Sequence, residues 1–307
     1  MRTHPILKNL RKSKFSGRLN MHRIAVLGMG AMGTRVAQNL LKANYPTIVY
    51  NRTAAKVAPL QAQGAVYAAT PKEAAEQADV VISMVTNDEA SQAVWLTPET
   101  GALAGLRESA IAIESSTLTV DWTKELAATI HRQGVTFLDA PVVGSRPQAE
   151  AGKLIYLVGG KAETLAQVRN CLLAAGTVHH VGSVGQGMVM KLAVNALFGI
   201  QVAALAEVLG MLQKSGMALD QAMTFLGALP VISPAAKGAG SLMVKNSHAP
   251  LFPIELVEKD FRYAMQTVSQ DKALMPVAAA IHQVYQDAIA QGYGSDNITG
   301  VMQLFAQ

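Results

Sequence analysis

The sequence predicts an α/β fold of the Rossmann type: a doubly wound parallel sheet followed by an all-α C-terminal domain, joined by a long interdomain helix. Three observations carry this. From Met21 to about Gly182, short apolar or β-branched runs alternate with helical runs. Such alternation implies parallel βαβ units. Beyond Gly182 it stops, and no convincing strand pattern follows. At the change stands GSVGQGMVMKLAVN (182–195), a glycine-rich loop entering an apolar stretch that reads as one helix over 185–216.

The first strand, HRIAVLG, runs into Gly28-Met29-Gly30-Ala31-Met32-Gly33 and a helix over 31–44. A G-x-G-x-x-G placed between strand and helix signals a dinucleotide site. Gly28 makes the tight turn, Gly30 admits the pyrophosphate and Gly33 lets helix and strand pack closely, with the helix N-terminus facing the diphosphate. The second strand, TIVYN, ends in Asn51-Arg52-Thr53. No carboxylate stands there for a ribose 2′-hydroxyl. Arg52 suits a 2′-phosphate instead, with Asn51 and Thr53 as neutral donors, so NADP(H) is expected. The alternative is an exposed arginine with no ligand.

A short helix over 54–64, the strand AVYAA (65–69) and a helix opened by Pro71 come next. DVVISMV (79–85) is almost continuously apolar, as a strand covered on both faces should be. Its end, Met84-Val85-Thr86, lies where open α/β sheets bind ligands, and Asn87 or Asp88 can cap the following helix. AIAIE (110–114) leads into Ser115-Ser116-Thr117, where Ser116 could meet a substrate carboxylate and Thr117 the nicotinamide amide. VTFLDA leads into the loop carrying Gly144 and Ser145, whose backbone N–H groups suit an anion. Both segments also read as ordinary turns with serine caps. LIYLVGG (154–160) and TVHHVG (177–182) complete the strands. His179 and His180 point to opposite faces with no third ligand near, so no metal is expected.

Lys191 and Asn195 are four apart, hence on one helical face a turn from each other. Embedded among apolar residues, they must snorkel to water or serve a pocket, and the pocket is the reading adopted. Further helices are expected near 218–228, 234–245, 254–271, 276–291 and 296–306, with Glu258-Lys259-Asp260 early in the third. Taken alone, Lys259 reads as part of a solvated helix face.

Half of the 307 residues are apolar and 15% are charged, which suits a compact two-domain protein. The net charge of +5 is concentrated in residues 1–20, whose six basic residues have no acid among them, leaving the rest at −1. That gives no case for nucleic acid. The expected organisation is a basic extension over 1–20, a cofactor domain over 21–183 and a helical domain over 184–307. The extension has three readings: sequence upstream of a true start at Met21, a disordered tail, or an organellar targeting segment. A single cysteine, Cys171, permits no disulfide within the chain and suits a reducing cytoplasm. The apolar run 192–206 is too short and too polar to span a bilayer, so no membrane partner is expected.

Together these segments resemble the β-hydroxyacid dehydrogenase family, and the resemblance covers essentially all but the extension. GMGAMG looks like its cofactor loop and SSTLT like its serine–threonine segment. DAPVVGSRPQAEAGKL is similar to its substrate loop, GSVGQGMVMKLAVN to its catalytic helix and EKDFRYA to its late Lys-Asp pair. NRT and the GS-x-x-x-AE-x-G continuation look closest to the glyoxylate/succinic semialdehyde reductase branch, which prefers NADPH. Val143 stands where the family has serine, and Leu118-Thr119-Val120 lacks a proline often found there. By this resemblance Lys191 polarises the carbonyl and donates the proton. Asn195 positions it, while Ser116, Gly144 and Ser145 hold the substrate carboxylate. Lys259 closes over the cofactor. The resemblance implies a small carboxylated aldehyde or hydroxy acid as partner and a homodimer or homotetramer. Alternatives are a 3-hydroxyisobutyrate or tartronate semialdehyde enzyme, an imine or ketone reductase, and a non-catalytic NADP-binding protein.

Overall fold

The computed structural model describes residues 21–269 and 274–306; the basic segment 1–20 lies outside them. Six strands form the parallel body of the sheet: β1 (Ile24–Leu27), β2 (Thr47–Tyr50), β3 (Val66–Tyr67), β4 (Val80–Ser83), β5 (Ile111–Glu114) and β6 (Thr136–Asp139), in the order β3-β2-β1-β4-β5-β6. Strands β1, β4 and β5 are buried at every position, which is why their sequences do not alternate. Between them lie α1 (Ala31–Lys42), α2 (Ala58–Gln61), α3 (Pro71–Glu76), α4 (Asp88–Leu96) and α5 (Val120–His131). Thr70, Asn87 and Thr119 cap α3, α4 and α5 by accepting from Glu73, Ala90 and Trp122 N–H.

The sheet then departs from the wholly parallel arrangement expected. After β7 (Val142–Val143) and the short α6 (Arg146–Glu150), β8 (Leu154–Gly159) runs antiparallel to both β6 and β7. The connection through α6 and Gly152 (φ +64°) reverses the chain and is too short for a parallel crossover. The twelve-residue α7 (Ala162–Leu173) supplies such a crossover, and β9 (Gly176–Gly182) pairs with β8 in parallel.

From there the described chain is helical: α8 (Gln186–Lys214), α9 (Leu219–Ala228), α10 (Pro234–Val244), α11 (Ile254–Ser269) and α12 (Pro276–Ala290). The last segment, Ile298–Leu304, is a 3₁₀ helix rather than the α-helix expected. It opens on a three-residue bond from Gly300 N–H to Asn297 C=O. Among the described residues α8 alone is long and apolar enough to cross a bilayer, and half of its most apolar window is buried inside the protein.

One apolar core runs without a break from the sheet (Leu27, Val81, Ala112) through α8 (Met188, Leu192) to Phe261 and Tyr285 of α11 and α12. The other face of the sheet packs on α1 and α7. α8 is seated on the sheet at its first turn. Asp139, fully buried at the end of β6, accepts from the N–H groups of Gly185 (2.8 Å) and Met188 (2.9 Å). These are donors that a helix start leaves unpaired. A Cβ at Gly187 would stand 2.4 Å from Leu157 O and 2.7 Å from Asp139 Oδ2, so only glycine permits this approach.

Gly187→Ala therefore sets two effects against each other. Helix propensity favours alanine by about 1 kcal/mol, while forcing a methyl into close-packed backbone costs about 1–3 kcal/mol. With the neighbours being a backbone carbonyl and a pinned carboxylate, the clash dominates. Thermal unfolding should show a lowered Tm; an unchanged or raised Tm would mean that α8 is not docked this tightly.

Candidate active site

The glycine loop lies at the carboxyl end of β1. Gly28 takes φ +104° and donates its N–H to Tyr50 O at 2.9 Å. A Cβ at Gly33 would meet Gly28 O at 2.0 Å, so the loop lies directly on the first turn of α1. Gly30 is different: a Cβ there meets nothing within 4 Å. α1 starts beside this open space with no side-chain cap and no acidic residue in its first turn. The helix end thus presents N–H groups and positive dipole to an anion. Ala31 is exposed, while Met29 is buried and Met32 partly buried beneath the loop. Asn51, expected as a donor to the ribose phosphate, is bonded within the protein: its Oδ1 accepts from Met29 N–H and its Nδ2 donates to Thr53 O, both at 2.9 Å. Arg52 and Thr53 remain exposed. Open space above an uncapped helix start, with a cation at the neighbouring strand end, fits a dinucleotide.

Ser83, Glu114 and Asp139 stand in register across β4, β5 and β6. Glu114 is fully buried and accepts from Ser91 Oγ (2.7 Å), Trp95 Nε1 (2.8 Å) and Ser116 N–H (2.9 Å). Burial pushes its carboxyl up, and the bonds from Ser116, Ser91 and Trp95 pull it back. Burial likewise raises Asp139 against the pull of the α8 N–H groups. Ser116 is itself buried, and its Oγ accepts from Val85 N–H at 2.8 Å. The serine expected to face substrate thus ties the end of β5 to the end of β4. Met84 is buried, Val85 and Thr117 are half-buried, and Thr86 is exposed.

Gly144 is exposed at φ +119°. Ser145 directs both its N–H and its Oγ to Gln148 Oε1, at 3.0 and 3.2 Å, starting α6. The loop is held from behind, where Asn39 Nδ2 of α1 donates to Ala149 O at 2.7 Å and Arg35 pairs with Glu150.

A chain of buried polar groups crosses from α8 to the strand ends. Lys191 Nζ donates to Asn195 Oδ1 at 2.9 Å, and Asn195 Nδ2 donates to Asp260 Oδ2 at 2.6 Å. Asp260 Oδ1 lies 3.2 Å from Lys259 Nζ. Lys259 in turn donates to Thr86 O (2.9 Å) and Thr117 O (2.7 Å), and stands 4.9 Å from the centre of the Tyr263 ring. All four residues of the chain are 8% exposed or less. Lys259 is therefore buried at the strand ends, in place of the solvated helix face its sequence context suggests. Burial brings the Lys191 pKa down to about 8, with Asp260 opposing and Lys259 adding to the fall. An ammonium of that acidity, fixed by an amide, can hand a proton to a developing alkoxide near neutral pH.

Glu114, Asp139 and Asp260 had no architectural role assigned from sequence. For the first two a signal existed: each is an acid closing an otherwise apolar strand, AIAIE and VTFLDA. A buried carboxylate there must find donors.

Residues 23–187 match the family model described as the NAD binding domain of 6-phosphogluconate dehydrogenase. Residues 185–305 match the one described as NAD-binding of NADP-dependent 3-hydroxyisobutyrate dehydrogenase. Two Arabidopsis thaliana proteins, glyoxylate/succinic semialdehyde reductase 1 and the chloroplastic reductase 2, are each 31% identical over 281 residues, 91% of this chain. The matches cover 97% and 78% of those proteins, respectively. The solved 3-hydroxyisobutyrate dehydrogenase of Mycobacterium tuberculosis with L-serine superposes with a TM-score of 0.85 at 26% identity, over 94% of this chain and 100% of that one. The chain therefore belongs to the β-hydroxyacid dehydrogenase family, NAD(P)-dependent oxidoreductases of hydroxyl and carbonyl groups, near its glyoxylate/succinic semialdehyde reductase branch.

Proposed function

We propose that this enzyme is an NADP(H)-dependent reductase of small carboxylated aldehydes, glyoxylate or succinic semialdehyde being the leading candidates. The observation that carries the reading is Lys191, a buried ammonium held by Asn195 beside strand ends that Lys259 spans. The names of the two Arabidopsis relatives support the substrate class.

The glycine loop at 28–33 and the start of α1 would hold the diphosphate, with Arg52 at the ribose 2′-phosphate and Met84, Val85, Thr86 and Thr117 along the nicotinamide side. When bound, the reduced cofactor supplies the hydride for the carbonyl carbon. Lys191 polarises the carbonyl oxygen and gives it a proton, leaving a hydroxyl and a neutral amine that solvent reprotonates. Asn195 keeps the ammonium aimed. The loop at Gly144 receives the substrate carboxylate, Ser145 shapes that loop with its N–H and Oγ on Gln148 Oε1, and Ser116 contributes to the substrate site while tying the ends of β4 and β5 together. Exposed Met190, Leu197, Val208 and Met211 along α8 support assembly as a homodimer or homotetramer.

Lys191→Ala should lower the rate of NADPH oxidation with glyoxylate or succinic semialdehyde by about 10²–10⁴-fold, the usual contribution of a positioned acid. NADPH binding, followed by fluorescence, should be retained. A variant turning over at the wild-type rate would remove Lys191 from the chemistry.

Arg52→Asp removes a charge-assisted contact worth about 1.5–3 kcal/mol. The NADPH/NADH ratio of kcat/KM should therefore fall by about 10–100-fold. An unmoved ratio would show that Arg52 does not read the 2′-phosphate.

A further inference from the structure

Asp260 touches both lysines of the polar chain, one through Asn195 and one directly. Its position makes more of it than a counter-ion. Oδ2 accepts from Asn195 Nδ2, which fixes the amide so that its oxygen faces Lys191. The other oxygen faces Lys259, whose ammonium is fastened to the backbone carbonyls of Thr86 and Thr117, just beyond the ends of β4 and β5. Asp260 is 3% exposed and Lys191 and Lys259 are 8% exposed, so water screens these charges little.

We infer that Asp260 is a positioning residue that couples the seating of Lys259 on the β4 and β5 ends to the readiness of Lys191 to release its proton. Two opposed charges reach Lys191 from this contact, and the Asp260 carboxylate holds both in place. Its negative charge favours the ammonium and makes Lys191 hold its proton. Lys259 disfavours a second ammonium nearby and makes Lys191 release it. The contact that closes the helical domain on the strand ends thereby also tunes the acid.

Among the described residues, the Tyr263 ring lies 4.9 Å from Lys259 Nζ, with Asp88, Glu89 and Arg262 acting on Tyr263 in turn, and Glu258 on the same helix pairs with Arg262 and His282. Asp139 on β6 is engaged by Gly185 and Met188 N–H, and the Lys124 side chain of α5 lies beside Gly185. From α12, Tyr285 donates its hydroxyl to Gly199 O, two turns further along.

The test is a pH titration of Lys191 itself in the full-length apo-protein labelled with [ε-¹³C]lysine, its resonance assigned by its loss in Lys191→Ala. Asp260→Asn should lower the midpoint of Lys191 by about one pH unit, the size of one close opposite charge. Lys259→Met should raise it, and Asp260→Glu should keep it near the wild-type value. A purely structural role for Asp260 would leave the midpoint in place while lowering stability. Unmoved midpoints, or shifts of the same sign in the Asn and Met variants, would overturn the coupling. Should Asp260→Asn not fold, Asp260→Glu with and without Lys259→Met decides: a Lys259→Met shift of the same size in the wild-type and Asp260→Glu backgrounds would overturn the coupling, and a different size would support it. The kinetic arm rests on the proposed role of Lys191 as proton donor: the alkaline fall of NADPH-dependent turnover should move with each midpoint. Midpoints that move as expected beside an unmoved alkaline fall would support the coupling and reject Lys191 as the donor.

Discussion

The seating of α8 on Asp139 is the constraint on which the rest depends. A 29-residue helix must start from the sheet at one fixed height if Lys191 and Asn195, in its first turns, are to meet Asp260 and, through it, the Lys259 that spans the strand ends. The carboxylate at the end of β6 provides that height by accepting from two N–H groups of the first turn. Gly187 removes the side chain that would hold helix and strand apart. The helix then delivers Lys191 and Asn195 to one side of the junction, and its apolar face continues the sheet core into the C-terminal helices.

Three buried acids share the work around this junction, each with a different set of donors. Asp139 takes backbone N–H groups of α8, and Glu114 takes Ser91, Trp95 and Ser116. Asp260 takes Asn195 and faces Lys259. Burying a charge costs several kcal/mol unless partners satisfy it. Here the carboxylates brace strand and helix ends, and the cost of burial shows on both sides: it raises Glu114 and Asp139 and leaves the Lys191 proton held less firmly than an ordinary lysine's. Rigidity on the acid side and a loosened proton on the lysine side come from the same burial.

Much of this was legible in the chain. The spacing of Gly28, Gly30 and Gly33 after an apolar strand announced the loop, because the steric demands there fall on consecutive residues. Lys191 and Asn195 were paired by helical period alone. Strand direction was not legible: LIYLVGG reads the same in either orientation, and the reversal at β8 follows from the length of the α6 connection. The bond from Val85 N–H to Ser116 Oγ was not legible, because it depends on two strands meeting 31 residues apart. Taken alone Lys259 reads as solvated, and its place at the site came from the family resemblance; its carbonyl partners lie 142 and 173 residues away. Local pattern reports which face of an element is apolar, whereas partners across the fold appear only once the elements are packed.

The most direct measurement is the pH dependence of a single turnover, with enzyme in excess over NADPH, saturating succinic semialdehyde and absorbance followed at 340 nm. Lys191 must carry its proton to donate it, and burial places its pKa at about 8. The reduction rate should be level below that pH and fall about tenfold per unit well above it. A rate that stays level from pH 7 to 10, or that rises, would contradict Lys191 as the source of the proton.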